Sequence, residues 1–188
     1  MNAFPTSGAN WSLRRAVDVD RSAIHRLWAE SFGTPGDDVR SWLDRALGDA
    51  PVACWVGTDR SGRVVGFIVT AVGDRPFVRD YLNGHAVVDS LPTRVSVIHM
   101  LGVDPEWRSK GVATGLVQRS IDWASERTSI LLVVLWRRED HVDSSGLASK
   151  FGFAYVCTLE EFYEGRPDCP DCGDACSCRA TVHVVELE

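Results

Sequence analysis

The residues with the clearest chemical potential lie in the segment from Arg108 to Thr114, Arg-Ser-Lys-Gly-Val-Ala-Thr. The β-branched apolar run before it predicts a buried strand, which Pro105 ends because proline donates no ladder hydrogen bond. Apolar residues at helical spacing follow, and they predict a helix. Gly111 and Ala113 leave the first N–H groups of that helix uncovered at the positive end of its dipole. The segment therefore predicts a site for a phosphate or diphosphate.

His99 lies inside the apolar strand that leads to this segment. Imidazole titrates close to neutral pH, so a histidine here is suited to accept a proton from a substrate. A histidine in an apolar run is also a common structural residue. Both interpretations remain open at the sequence level, with His99 as the candidate general base.

Four of the six cysteines lie within ten residues, at Cys169, Cys172, Cys176 and Cys178. The pattern C-P-x-C-G is typical of a zinc knuckle, and four thiolates would complete a closed tetrahedral site. The second pair is spaced C-x-C rather than C-x-x-C, which matches the pattern less well. Two local disulfides and a C-x-x-C redox pair are the competing interpretations. We expect a structural zinc that holds a loop.

The composition fits one globular domain over residues 1–188, with 45% hydrophobic residues and seven tryptophans for its core. The net charge of −6 argues against a nucleic-acid surface, which is usually basic. No apolar stretch approaches the length of a membrane span, and the amino terminus lacks the pattern of a signal peptide. We therefore expect a cytoplasmic protein that has neither nucleic acid nor membrane as a partner.

The remaining chain alternates between strand-like and helix-like periodicity. Amphipathic helices are predicted around 20–32 and 37–47, after the central segment, and at 140–150. Strands are predicted at 11–17, 51–57, 63–72, 129–136, 154–163 and 179–188. The segment 74–93 shows no clear period and is long for a plain loop. It is either a lid over an acceptor or a longer excursion at an edge.

The spacing Arg108-x-x-Gly111-x-Ala113 resembles the R/Q-x-x-G-x-G/A signature of the GNAT acyltransferase superfamily, whose members bind acetyl-CoA there. The order strand, turn, motif, helix and strand is the one that this family requires. An ordinary tight strand-to-helix turn is the alternative. The dinucleotide pattern G-x-G-x-x-G and the P-loop pattern are both absent.

This resemblance implies an α/β (α+β) fold, with a central mixed, mostly antiparallel sheet. The expected sheet has about six to seven strands flanked by about four helices, and it is splayed at its two central strands. The cysteine-rich loop at 165–179 would then join the last two strands of a single domain.

The resemblance also implies which residues contact acetyl-CoA. Main-chain groups of the central strand would meet the pantetheine arm and the thioester, and the following loop would surround the diphosphate. The implied contact residues are Leu101, Gly102, Val103, Arg108, Ser109, Lys110, Gly111, Val112, Ala113 and Thr114.

A second segment, 141–153, resembles the family pattern N-x-x-A-x-x-L-Y-x-K-x-G-F but departs from it at three positions. His141 replaces the usual asparagine and Ser144 the usual alanine, while Ala148 replaces a tyrosine that acts as general acid in many members. Alanine cannot donate a proton, so the acid is unassigned. His141 is a weaker candidate for acid or coenzyme contact.

The sequence therefore predicts an enzyme that transfers acetyl from acetyl-CoA to an amine of a small molecule or a protein. The alternative is a non-catalytic module on the same fold, acting through acyl-CoA binding or the zinc knuckle. Acetyl-CoA, an amine acceptor and a structural zinc are the expected ligands, and a homodimer is left open.

Overall fold

The computed structural model describes residues 7–8, 10–33, 37–48, 51–137, 144–163 and 178–188. Over these ranges it has eight strands and five α-helices, which confirms the α/β fold class but exceeds both expected counts. The strands are β1 (Ser7–Gly8), β2 (Trp11–Arg15), β3 (Val52–Asp59), β4 (Val64–Asp74), β5 (Arg94–Val103), β6 (Ile130–Arg137), β7 (Ala154–Leu159) and β8 (Arg179–Glu186). The helices are α1 (Arg21–Phe32), α2 (Asp37–Leu47), α3 (Arg75–Tyr81), α4 (Val112–Ser125) and α5 (Ser145–Lys150).

Strand β1 and helix α3 were not predicted from the sequence, and each has a simple reason. Strand β1 has only two residues, too few to leave a periodic pattern in the sequence. Helix α3 has seven residues and lies in the segment whose periodicity was unclear. Asp74 caps that helix by accepting a hydrogen bond from Phe77 N at 3.1 Å.

The chain forms two compact units, the first of which comprises Met1–Ala71 and Ile98–Trp123. Its strands follow the order β1-β2-β3-β4-β5, and the first four pair antiparallel with their neighbours. Asp104 N donates to Val65 O at 3.0 Å, so the end of β5 lies beside the start of β4. Fully buried side chains fill the core of this unit, among them Ile24, Leu27, Leu43, Phe67, Ile68 and Leu116.

The second unit comprises Val72–Val97 and Ala124–Glu188. Its strands follow the order β5-β6-β8-β7, and β8 pairs antiparallel with both β6 and β7. The Ser96 and Thr128 hydroxyls are 2.7 Å apart, which places the beginnings of β5 and β6 side by side. These two strands therefore run in the same direction, which makes the sheet mixed. The expectation of a single domain stays a prediction.

The segment between β4 and β5 packs firmly within the second unit. Val78, Leu82, Val88 and Leu91 belong to the hydrophobic core of that unit. The Arg75 guanidinium donates to the carbonyl oxygens of Val88 and Leu91, both at 3.1 Å. These contacts favour the interpretation of a packed excursion over that of a mobile lid.

The helices in the described part of the chain are all too short or too polar to cross a membrane.

An ion pair between the exposed Arg14 and the buried Asp20 fixes the chain between β2 and α1. The Arg14 guanidinium donates to both carboxylate oxygens of Asp20, at 2.6 and 2.8 Å, and Val17 N donates to the same carboxylate at 2.9 Å. Asp20 is 4% exposed. The hydrogen bonds from Arg14 hold the pKa of this carboxyl below its usual value, partly opposed by burial and assisted by Val17 N–H.

A lowered folded-state pKa means that Asp20 contributes stability above the unfolded pKa of about 3.9, and that this contribution is lost as the pH falls through the folded value. We expect Asp20→Asn to lower the free energy of unfolding at pH 7 by about 1–3 kcal/mol. The difference from the wild type should shrink towards pH 3 in urea unfolding experiments. Asp18→Asn is the control, since Asp18 is exposed, and should change the stability by less than about 0.5 kcal/mol. A difference for Asp20→Asn that is the same at both pH values would contradict this prediction.

Candidate functional site

The turn after β5 is built around Asp104, which is buried. Its carboxylate accepts from Glu106 N at 3.0 Å, and its carbonyl accepts from Trp107 N at 2.8 Å. The Arg63 guanidinium donates to the other carboxylate oxygen. These bonds hold the one-turn 3-10 helix Pro105–Trp107, so the Asp104 carboxylate is used to fix the turn.

The loop that follows has a backbone suited to bind an anion. Ser109 has φ of 59° and Gly111 has φ of 85°, so two left-handed residues alternate with ordinary ones. Such alternation turns successive N–H groups towards one side of the chain. Gly115 N donates to Gly111 O at 3.0 Å, so the N–H groups of Val112 and Ala113 precede the first hydrogen bond of α4. Both have no backbone acceptor among the described residues.

Two glycines bring the start of α4 close to the sheet. Gly57 and Gly66 lie opposite each other on β3 and β4. A Cβ added at Gly57 or at Gly66 would lie 3.0 or 2.9 Å from Cγ1 of Val112, which is closer than the usual contact distance between carbon atoms. The buried hydroxyls of Thr70 and Ser120 are hydrogen-bonded at 2.7 Å further along the helix. The loop is therefore held at a fixed height above the sheet.

Sequence inspection did not single out these two glycines. Glycine in the interior of a strand was the available signal, because it marks close approach of a neighbouring element. The sequence does not show which element approaches, since Val112 is far away along the chain.

Positive side chains surround the loop. Arg108, Ser109 and Lys110 are all exposed. Lys110 Nζ lies 4.9 Å from the centroid of the Trp107 ring, a cation–π contact that directs the ammonium group along the turn. The loop thus combines main-chain donors with two positive charges that remain accessible to an anion.

The end of β5 offers a partly covered strand next to this loop. His99, Leu101 and Val103 are half-buried and alternate with the buried Met100 and Gly102. A Cβ at Gly102 would collide with the ring of Phe67, so glycine is required there by packing. The alternation is that of a strand with one covered and one accessible face. It leaves Leu101 to Val103 accessible from one side, as the predicted pantetheine contacts require.

His99 has a defined ring position. Its imidazole stacks on the indole of Trp42 with the ring centroids 3.9 Å apart and the planes inclined by 29°. The guanidinium of Arg45 lies over the same indole at 4.7 Å. Helix α2 therefore supplies an aromatic surface that orients the candidate base, a contact that sequence inspection missed.

Four other predicted site residues, His141, Cys169, Cys172 and Cys176, lie outside the described residues. Cys178 is described, and it is half-buried directly before β8. Across the described ranges, no group of three or more His, Cys, Asp or Glu side chains could hold a metal ion. The zinc site stays a prediction.

The described part of the second motif, residues 144–153, contains the short helix α5 and ends with a glycine turn. Ala148 on α5 is 6% exposed, and its carbonyl accepts from Phe151 N and Phe153 N. Gly152 has φ of 77°, the left-handed conformation that ends helices. The position where the family often has a tyrosine is therefore a packed methyl group.

Several solved structures share this fold. The structure of Arabidopsis thaliana NAA60 in complex with a bisubstrate analogue matches with a TM-score of 0.75 and 14% identity, and the match covers 95% of this chain and 98% of that chain. Its complex with acetyl-CoA matches with a TM-score of 0.73 and 12% identity, covering 94% and 98%. An N-acetyltransferase from Staphylococcus aureus Mu50 matches with a TM-score of 0.67 and 19% identity, covering 96% and 100%. Ard1 from Thermoplasma volcanium matches with a TM-score of 0.66 and 18% identity, covering 95% and 98%.

No curated protein matches the sequence. The family model described as acetyltransferase (GNAT) family matches residues 21–153, which include both motifs and the loop before α4. The predicted acetyl-CoA-dependent acyltransferase is thereby confirmed, and the chain belongs to the acetyltransferase (GNAT) family.

Proposed function

We propose that this protein transfers the acetyl group of acetyl-CoA to an amine of a small molecule or a protein by direct attack. The observation that carries the proposal is the loop before α4, in which two left-handed residues and the first turn of a helix present N–H groups beside two exposed cations. Diphosphate is the anion that such a site fits, because it spans several donors at once. Acetyl-CoA contains a diphosphate between its pantetheine arm and its nucleotide.

Each part of the site has a distinct binding role. The N–H groups between Ser109 and Thr114 would hold the diphosphate, with Arg108 and Lys110 adding charge. The accessible face of β5, from Leu101 to Val103, would receive the pantetheine arm and place the thioester carbonyl. This arrangement fixes the acetyl group relative to His99, two residues before Leu101 on the same strand.

His99 is the group we propose as general base. The neutral amine nitrogen attacks the thioester carbonyl carbon, a C–N bond forms, and the C–S bond breaks with release of the coenzyme thiolate. His99 accepts the proton that the amine nitrogen loses. Stacking on Trp42 restricts the imidazole to one plane, so a proton acceptor is held in place before the acceptor amine arrives.

The proton that neutralises the thiolate does not come from position 148, because Ala148 is a buried methyl group. Tyr155 is 58% exposed and its hydroxyl lies 3.0 Å from the Thr158 hydroxyl. Neither this hydrogen bond nor the position of Tyr155 in the sequence identifies it as the general acid that protonates the thiolate. Protonation by solvent is sufficient for a thiolate, which is a good leaving group at neutral pH.

The acetyl-CoA site is tested by replacing Gly111 with glutamate and titrating with acetyl-CoA in a calorimeter. The carboxylate would lie among the diphosphate donors, so we expect saturable binding by the wild type and its loss in Gly111→Glu. Gly62→Glu is a matched control, since Gly62 has nearly the same φ, 86°, and no heavy atom within 4 Å of an added Cβ. It adds the same charge and the same backbone strain in a hairpin turn. It should bind like the wild type.

Absence of binding by the wild type would contradict the proposed function. Equal loss in both variants would show that charge or strain, rather than the loop, causes the effect. Binding without turnover of any amine in an acceptor screen would favour the non-catalytic alternative. The screen should contain both small amines and peptide amines, because the proposal includes both classes of acceptor.

The role of His99 is tested by His99→Gln with an acceptor from that screen. We expect kcat/KM to fall by about 10²–10⁴-fold, the usual contribution of a general base. The pH dependence that arises from imidazole titration should also disappear. His85→Gln is the control, because His85 is an exposed histidine whose side chain caps a turn. An unchanged pH profile of turnover in His99→Gln would remove His99 as the base.

For the cysteine cluster we propose a structural zinc bound by Cys169, Cys172, Cys176 and Cys178. The donor set supports this, since four closely spaced thiolates form the usual closed zinc site. In a reducing compartment, such as the cytoplasm predicted from the sequence, thiols persist and disulfides are rare. The metal would hold a loop and would take no part in acetyl transfer.

We expect one zinc per chain in freshly reduced protein, lost when Cys169→Ser and Cys172→Ser are combined. Cys157→Ser is the control, since Cys157 is a half-buried thiol on β7 outside the cluster. Metal analysis that finds less than about a tenth of an equivalent would contradict the prediction, because thiolate sites bind zinc tightly.

A further inference from the structure

Trp11 connects the amino-terminal strands to the proposed coenzyme loop. It is the first residue of β2 and is 7% exposed. Its indole Nε1–H donates to the carbonyl of Lys110 at 2.9 Å, across 99 residues of sequence. This bond reaches the middle of the loop and belongs to none of the contacts that hold the turn or α4.

The bond determines which way one peptide group faces. A peptide is planar and trans, so the carbonyl of Lys110 and the N–H of Gly111 point in opposite directions. With the carbonyl directed at the indole, the Gly111 N–H points away from Trp11. A reversed peptide would put the partial negative charge of the Lys110 carbonyl in place of that N–H.

Because residue 111 is glycine, its backbone allows either orientation of the Lys110–Gly111 peptide. Gly111 has φ of 85° and no side chain, so its backbone tolerates conformations closed to other residues. A Cβ there would lie 3.5 Å from Cζ2 of Trp11, an ordinary contact. The space around Gly111 therefore does not restrict its backbone, and the indole hydrogen bond holds the Lys110 carbonyl on the Trp11 side of the loop.

The indole is itself held in place by β1. Gly8 pairs with Trp11 in antiparallel register. A Cβ added at Gly8 would collide with the indole nitrogen and with the neighbouring ring atoms. The ring therefore lies directly against the Gly8 backbone, and the two-residue strand covers it.

We propose that Trp11 is a positioning residue for the diphosphate of acetyl-CoA. Its indole N–H holds the Lys110–Gly111 peptide so that the Gly111 N–H can donate to the diphosphate and the Lys110 carbonyl cannot approach it. This inference rests on the proposed function, because it deepens the account of the same coenzyme site. It concerns binding of the coenzyme and leaves the transfer step unchanged.

The test compares Trp11→Phe with Trp55→Phe by calorimetry. Phenylalanine keeps an aromatic ring but has no N–H, so Trp11→Phe should bind acetyl-CoA and CoA about tenfold more weakly, the value of one charge-assisted hydrogen bond. Trp55 is the matched control, since it is also 7% exposed, on β3, and its variant should bind within about twofold of the wild type. Acetyl-pantetheine lacks the diphosphate and should bind the wild type and Trp11→Phe equally, which a general structural defect would not produce.

A second measurement needs only the wild type. Hydrogen exchange of the Trp11 indole N–H should be slow and should slow further when acetyl-CoA is added. Equal affinity of the wild type and Trp11→Phe for acetyl-CoA would overturn the inference, as would indole exchange that does not respond to the coenzyme. Failure of the wild type to bind acetyl-CoA would overturn the proposed function itself, and with it this inference.

Discussion

The proposed acetyl-CoA site depends on the close approach of α4 to two facing glycines. Gly57 and Gly66 leave room for the side chain of Val112, the first residue of the helix. Any side chain there would meet Val112 at less than the usual contact distance, and close-packed interiors do not absorb such an overlap without movement. The first turn of α4 can therefore lie low over the sheet. That placement sets where its N–H groups are.

Three further contacts fix the loop that precedes α4. Asp104 holds the turn at the end of β5, Trp11 holds the carbonyl of Lys110, and the Thr70–Ser120 hydrogen bond holds the helix further on. Each anchors a different part of the same short path from strand to helix. Main-chain donors arranged in advance bind an anion at a smaller entropic cost than mobile side chains do. This explains how exposed residues with few side-chain contacts can form a specific site.

The sequence predicted the parts of the molecule that depend on local patterns. The apolar run before Pro105, the glycine at position 111 and the helix after it predicted the strand, turn and helix that form the proposed anion site, and period-2 patterns predicted most strands. Contacts between residues that are far apart in the sequence could not be predicted, because no local pattern in β3 or β4 indicates that Val112 lies above Gly66. The stacking of Trp42 on His99 could not be predicted for the same reason. Strand β1 and helix α3 were too short to show a period.

The most direct measurement is the affinity of Gly66→Ala for acetyl-CoA. The added methyl group would lie 2.9 Å from Val112 Cγ1 and 3.3 Å from the carbonyl oxygen of Gly102, so the packing between Val112 at the start of α4 and the sheet must shift. We expect acetyl-CoA binding to weaken by at least about tenfold while the protein stays folded. Gly146→Ala, with no heavy atom within 4 Å of its Cβ, should bind as the wild type does. Wild-type affinity in folded Gly66→Ala would contradict the central claim.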